Sequence, residues 1–156
     1  MSAAAARTPA ATGAVDDDVQ RIEAQVALLF HHVRSLRRSA AARIDPDLQA
    51  AAYVLLQRLV NAGPARATAL AEYFGLDKGA VSRHVAHLEG LGLAERISDP
   101  ADRRAQIITA TAEARRRCTK EQARRHARLR THLSDWTPEQ LRMFGDLLEQ
   151  FNTADA

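Results

Sequence analysis

Two groups of side chains in this sequence have the types and spacing for polar recognition. The first is Lys78, Ser82, Arg83 and His87, in a segment that opens with Asp77. On an α-helix these residues lie broadly on one side, and Val81, Val85 and Leu88 lie on the other. A guanidinium on such a face presents a fixed fork of N–H donors. That fork matches the paired acceptors of guanine in the ~12 Å major groove of DNA. The second group is Asp102-Arg103-Arg104, following the turn sequence Asp99-Pro100-Ala101. Arginine near a hairpin tip is attracted by the negative potential of a minor groove. The partner these residues imply is double-stranded DNA.

Other chemistry is poorly represented. His84 and His87 share a helix face but have no further ligands at short spacing. His31-His32, His126 and His132 make no metal set either, so neither a metal nor a cofactor is expected. Cys118 is the only cysteine, which excludes an intrachain disulfide. A reactive thiolate there would need a lowered pKa, for which Arg115 and Arg117 are the only local cause. The chain has no Gly-rich phosphate loop, no paired catalytic carboxylates and no nucleophile–base spacing, so an enzyme is not expected.

The elements that must position these groups can be read from pattern. Residues 1–15 are rich in Ala and Thr with a single charge, and are expected to form a mobile tail. A helix is expected from the Asp16-Asp17-Asp18 cluster. Val19, Ile22, Val26, Leu29, Val33 and Leu36 follow at alternating steps of three and four, an apolar seam. Pro46 suits the first position of a second helix running to about Asn61. Two short helices follow, over about 68–74 and 77–91, separated by Gly75 and ended by Gly92. Leu93–Ser98 and the β-branched Gln106–Thr111 are expected strands around a turn at 99–102. Such a hairpin is marginal alone and must lean on the helices. A long helix is expected over 112–135. Thr137-Pro138-Glu139-Gln140 is a capping box that opens a last helix, and Leu141, Phe144, Leu148 and Phe151 form a second seam along it.

Composition sets the bounds. The net charge of +3 hides a strongly basic segment, Arg115 to Arg130, on a slightly acidic body. Its arginines fall all around a helix, so the segment reads as a solvated surface with some ion pairs, adding long-range steering at most. Many of the apolar residues are alanines, which favour helix but bury little area. A thin core completed by a partner chain is expected. No apolar run approaches the ~20 residues that span a bilayer, and the N-terminus has no secretory signal pattern. A cytoplasmic protein, associated with the nucleoid when bound to DNA, is expected.

A helix, a tight turn, a second helix and a hairpin make a winged helix-turn-helix. The segments Leu70-Ala71-Glu72, Asp77 through Glu89, Leu91 through Arg96 and Asp99 through Arg104 together resemble the MarR family of bacterial transcription regulators. The wing's Asp-x-Arg signature is met by Asp102 and Arg104. The fold class expected is mainly α with a small β-hairpin wing, flanked by N- and C-terminal dimerisation helices. On this reading residues 16–45 are the N-terminal dimerisation helix, 46–111 the DNA-binding lobe and 112–154 the C-terminal dimerisation helices. The resemblance implies a homodimer joined through both seams, on a pseudo-palindromic operator. The recognition helix at 77–91 would lie in the major groove and the wing at 97–106 in the minor groove. It implies that Arg104 enters the minor groove and that Asp102 braces the wing by pairing with a nearby arginine. It also implies a repressor relieved by an aromatic or phenolic effector, with His31, His32 and Tyr53 as candidate contacts. An effector-independent architectural DNA-binding protein is the alternative. The sequence departs from the family in having Ala110-Thr111 and Glu113-Ala114 where a Leu-Thr and then a glycine are usual. A different bend into the long helix is expected there.

Overall fold

The computed structural model describes the backbone of residues 9–153, and the side chains from residue 15 onward with Arg103 excepted. Six helices and one hairpin follow in order: α1 (Pro9–Ile44), α2 (Ala50–Ala62), α3 (Ala67–Phe74), α4 (Lys78–Gly90), β1 (Ala94–Asp99), β2 (Asp102–Ala110), α5 (Ala112–His132) and α6 (Pro138–Thr153). No described helix is long and apolar enough to cross a membrane.

Several expected boundaries are corrected. The helix α1 begins at Pro9, not at the Asp16 cluster, so residues 9–15 of the expected tail are helical. Residues 1–8 of that tail lie outside the described residues. Pro46 does not open α2. It lies in a turn where the Asp47 amide donates to the Asp45 carboxylate at 3.0 Å and the Leu48 amide to the Asp45 carbonyl at 3.1 Å. β2 starts at Asp102 rather than Gln106, and α5 ends at His132 rather than Asp135. The capping box of α6 forms as read. The Thr137 amide donates to Gln140 Oε1 at 2.9 Å, and the Gln140 amide to Thr137 Oγ1 at 3.3 Å.

The core is built mainly from α2, α3, α4 and the hairpin, joined by Ala40, Ala41 and Ile44 of α1 and by Ala114 and Cys118 of α5. Leu55, Leu56 and Leu59 of α2 meet Leu70 of α3, Val81, Val85 and Leu88 of α4, and Leu93 and Ile108 of the hairpin, all fully buried. Gly75 ends α3 in the left-handed region, with φ +60°, where a side chain would be strained. The hairpin gains a third backbone partner. Ala65 exchanges two hydrogen bonds with Ile108, at 3.0 and 2.8 Å. The turn from wing to α5 needs no glycine. Thr111 caps α5 by accepting from the Ala114 amide, and its hydroxyl donates to the Gly92 carbonyl.

Two ion pairs fasten the outlying parts. At the root of the wing, Arg66 Nε donates to Asp99 Oδ2 at 2.8 Å. Asp102 lies farther from the same guanidinium, at 3.8 Å. The wing is therefore braced chiefly through Asp99, a residue the family signature does not point to, with Asp102 second. At the other end, Arg43 of α1 makes a bidentate pair with Glu121 of α5, and Glu121 is only 7% exposed. Arg117 adds a hydrogen bond to the Ile44 carbonyl at 2.9 Å.

Both carboxylates are held below their ordinary values, 3.8 for Asp99 and 4.5 for Glu121. The Ala101 amide and then Arg66 lower the first, and Arg43 lowers the second. A depressed folded-state pKa stabilises the fold above the ordinary value, and that contribution is lost as pH falls through the lowered one. Stability measured by urea denaturation should therefore decline below about pH 5, with a shallower decline in Arg43→Met. Separately, Leu56→Ala should cost about 2–5 kcal/mol in the same assay at neutral pH, because it opens a cavity in a fully buried site.

Candidate nucleic-acid interface

The recognition surface is built on α4. Asp77 caps the helix by accepting from the Ala80 amide at 2.8 Å. That bond, with the Gly79 amide and the Arg83 charge, keeps the Asp77 carboxyl below its usual range. With Val81, Val85 and Leu88 buried at 0%, helical geometry turns Gly79, Arg83, Ala86 and Gly90 directly outward. Lys78, Ser82 and Arg83 are all exposed. Arg83 is the one long side chain at the centre of a face otherwise made of small residues. Gly79 has a local reason to be glycine. A Cβ there would lie 3.0 Å from the capping Asp77 oxygen and 3.4 Å from Arg83 Nη1. The missing side chain leaves room for both the cap and the arginine.

His87 is placed differently from its neighbours. Its Nε2 lies 3.1 Å from the Asp47 carbonyl oxygen and 3.4 Å from the Gln49 amide nitrogen. The ring thus ties α4 to the turn between α1 and α2, and is half-buried. Spacing alone had grouped it with the outward residues. The signal that it belongs elsewhere is long-range and absent from local sequence.

The wing presents Arg104. Cα pairing jumps from Ser98↔Gln106 to Asp99↔Asp102, so residues 103–105 arch without a partner on β1. The Arg104 amide donates to Asp102 Oδ1 at 3.1 Å, which shapes the arch, and the Arg104 side chain is exposed. Asp102 therefore has one contact within the wing and a longer one, at 3.8 Å, to Arg66 outside it. Arg103 lies on the same arch, and its side chain is outside the described residues. Arg66, which anchors the wing root, went unremarked because its partner lies 33 residues away.

A second feature lies where α1, α2 and α5 meet. A cleft of about 470 Å³ is lined by Val33, Leu36 and Ala40 and by Tyr53, whose hydroxyl accepts from Gln57 at 2.7 Å. Its lining also includes Arg37 and Arg43 of α1 and Arg124, Arg125 and Arg128 of α5, with Glu121. Tyr53 is thus in the cleft. His31 and His32 are exposed on α1 and do not line it. Part of the basic segment does share a face, since 121, 124, 125 and 128 lie at i, i+3, i+4 and i+7. This corrects the reading of that segment as arginines scattered without a stripe. Cys118 is buried, and burial pushes its thiol up to about 11, so it is not a thiolate at neutral pH. No cluster of candidate metal ligands occurs among the described residues.

The seam residues of the terminal helices remain open. Val19, Ile22, Leu141, Phe144, Leu148 and Phe151 are exposed, and Val26 is half-buried. Trp136 packs edge-on against Phe144 with ring centroids 5.3 Å apart.

Comparison with known proteins agrees with this architecture. Residues 47–105 match the model of the MarR family. An uncharacterized HTH-type transcriptional regulator of Bacillus subtilis (strain 168), YxaD, is 38% identical over 108 residues, covering 69% of this chain and 76% of that one. The crystal structure of transcriptional regulator Tm0710 from Thermotoga maritima superposes with a TM-score of 0.63 at 27% identity, covering 86% of this chain and 94% of that one. Streptococcus pneumoniae FabT, solved in complex with DNA, shares the fold with a TM-score of 0.76 at 17% identity, over 86% and 95% of the two chains. With its helix-turn-helix, its wing and these relatives, the chain belongs to the MarR family and is a DNA-binding transcription regulator.

Proposed function

We propose that the protein acts as a homodimeric repressor on a pseudo-palindromic operator and is relieved by a small-molecule effector. The observation that carries this reading is the α4 face. Three hydrophobic residues lock one side into the core, Arg83 stands clear on the other, and Lys78 and Ser82 are exposed beside it. Arg83 reads a base edge in the major groove, with Lys78 and Ser82 on flanking phosphates. Arg104, with Arg103 beside it, enters the neighbouring minor groove from a wing shaped by Asp102 and anchored by Arg66. His87 supports α4 from behind and sets its angle to the α1–α2 turn. The complex of FabT with DNA supports the general mode, since the fold is shared.

Dimerisation is supported by the exposed seams. An apolar patch this extensive on a soluble protein marks an interaction surface, and two-fold symmetry lets one surface cover itself. Two lobes would then sit on half-sites about 34–36 Å apart. The division into a terminal dimerisation region and a central lobe follows, with α1, α5 and α6 in the first and residues 46–111 in the second. The effector is placed in the cleft beside Tyr53, where it touches both regions. Nothing in the arrangement favours an architectural role, because the outward face of α4 is built around a single centred arginine rather than a broad basic stripe.

Arg83→Ala should cost about 1–3 kcal/mol in operator binding and relax preference at one base pair, measured by mobility shift against wild-type and altered operators. Unchanged affinity and preference would place recognition elsewhere. Light scattering of the wild type should give a dimer at micromolar concentration. Leu148→Asp, felt twice in a symmetric interface, should weaken that dimer by about 3 kcal/mol or more.

A further inference from the structure

The electrostatics of the cleft go further than its location. Five arginines line it, against one carboxylate, Glu121. That carboxylate is already committed to Arg43. Among the described residues, none of Arg37, Arg124, Arg125 and Arg128 has a carboxylate within 4 Å. Four exposed guanidinium groups without a carboxylate in contact therefore border a space that falls within the usual size of a ligand site.

Guanidinium groups donate hydrogen bonds and accept none, so they satisfy only acceptors. The single hydroxyl in the cleft, on Tyr53, already has a donor in Gln57. A neutral phenol can accept a hydrogen bond from a guanidinium but brings no charge to balance the arginines. A singly charged aryl carboxylate would neutralise one arginine and leave the rest repelling one another. A phosphate monoester or a dicarboxylate can accept bidentate bonds from two arginines at once. α1 also brings Val33, Leu36 and Ala40 to the lining, which can pack against an apolar group.

We propose that the cleft between α1, α2 and α5 binds a doubly charged anion bearing an apolar aryl or alkyl group, the phosphate monoester or dicarboxylate being held by Arg124, Arg125 and Arg128 with Arg37. This rests on the reading of the cleft as the effector site and adds the charge class of the effector. The anionic head binds the i, i+3, i+4 face of α5, and the apolar group lies against α1. Such a ligand bridges the two helices that the Arg43–Glu121 pair already joins, so its occupancy is felt where α1 meets the lobe.

The test uses the full-length protein and four probes: naphthyl phosphate, naphthoate and naphthol, which share one ring system, and inorganic phosphate for the head alone. Affinities are measured by calorimetry at about pH 7.5, where the phosphate monoester is mostly dianionic. Operator binding of the same preparations is followed by mobility shift. Naphthyl phosphate should bind at least about tenfold tighter than naphthoate, a difference of ~1.4 kcal/mol, and tighter than inorganic phosphate. Arg124→Gln with Arg128→Gln should abolish the difference while the protein still binds operator. If that double variant is poorly folded, Arg128→Gln alone should at least halve the preference. Equal binding of phosphate and carboxylate probes, or a preference that survives the substitutions, overturns the proposal. Tight binding of naphthol overturns the charge argument but leaves an effector cleft. Binding by none of the four, with Arg124→Gln weakening operator binding instead, overturns both and assigns the arginines to DNA phosphates.

Discussion

The joint between α1 and the lobe depends on a buried carboxylate that has to be matched. Glu121 lies almost fully inside the molecule on α5 and is ionised there because Arg43 meets it with two hydrogen bonds. A buried charge without its partner costs several kcal/mol, whereas the pair itself contributes little net stability. Its value here is geometric. It fixes the angle and register at which the first helix meets the lobe, and Ala40, Ala41 and Ile44 pack closely only in that register. Arg117 extends the joint by holding the Ile44 carbonyl. From there the chain turns through Asp45 to Gln49, where His87 of the recognition helix reaches the Asp47 carbonyl. Three residues distant in sequence therefore fasten one short turn between α1 and α2.

Away from this joint the molecule is thin. Its fully buried large side chains come from α2, α3, α4 and the hairpin, whereas α6 buries none and α1 buries residues only near its end. The abundance of alanine has a clear consequence. It makes helices cheaply, through propensity, without making a core. The large buried side chains are thus concentrated in the middle of the chain, and α1 and α6 have hydrophobic side chains that one chain alone leaves exposed.

Much of this was legible in the sequence where local chemistry decides. Asp77 as a helix cap, Gly75 as a break and the Thr137–Gln140 box are all short-range features, and each appears as read. The misreadings have physical reasons. Pro46 is compatible with a helix start, but Asp45 captures the following amides in a turn first. Residues 9–15 were read as tail for want of burial, whereas they continue α1 backwards. Asp102 was singled out by its motif, whereas Asp99, one turn earlier in the wing, receives the closer bond from Arg66. The arginines of α5 looked scattered because no list of positions shows which face meets a cleft. Only the packing of α1 against α5 selects Arg124, Arg125 and Arg128.

The length of α1 gives the joint at its end a mechanical meaning. With 36 residues it extends about 54 Å, and only its last turns are buried in the lobe. It is in effect a lever with its fulcrum at Ala40–Ile44. A change of 10° at that fulcrum displaces the far end by about 9 Å, more than the width of a base pair step and comparable to the width of a helix. Conversely, a partner that clamps the far end holds the fulcrum to within a degree or so for each ångström of play. The long arm turns the exact fit of a few side chains around Glu121 into the distance between distant parts of an assembly.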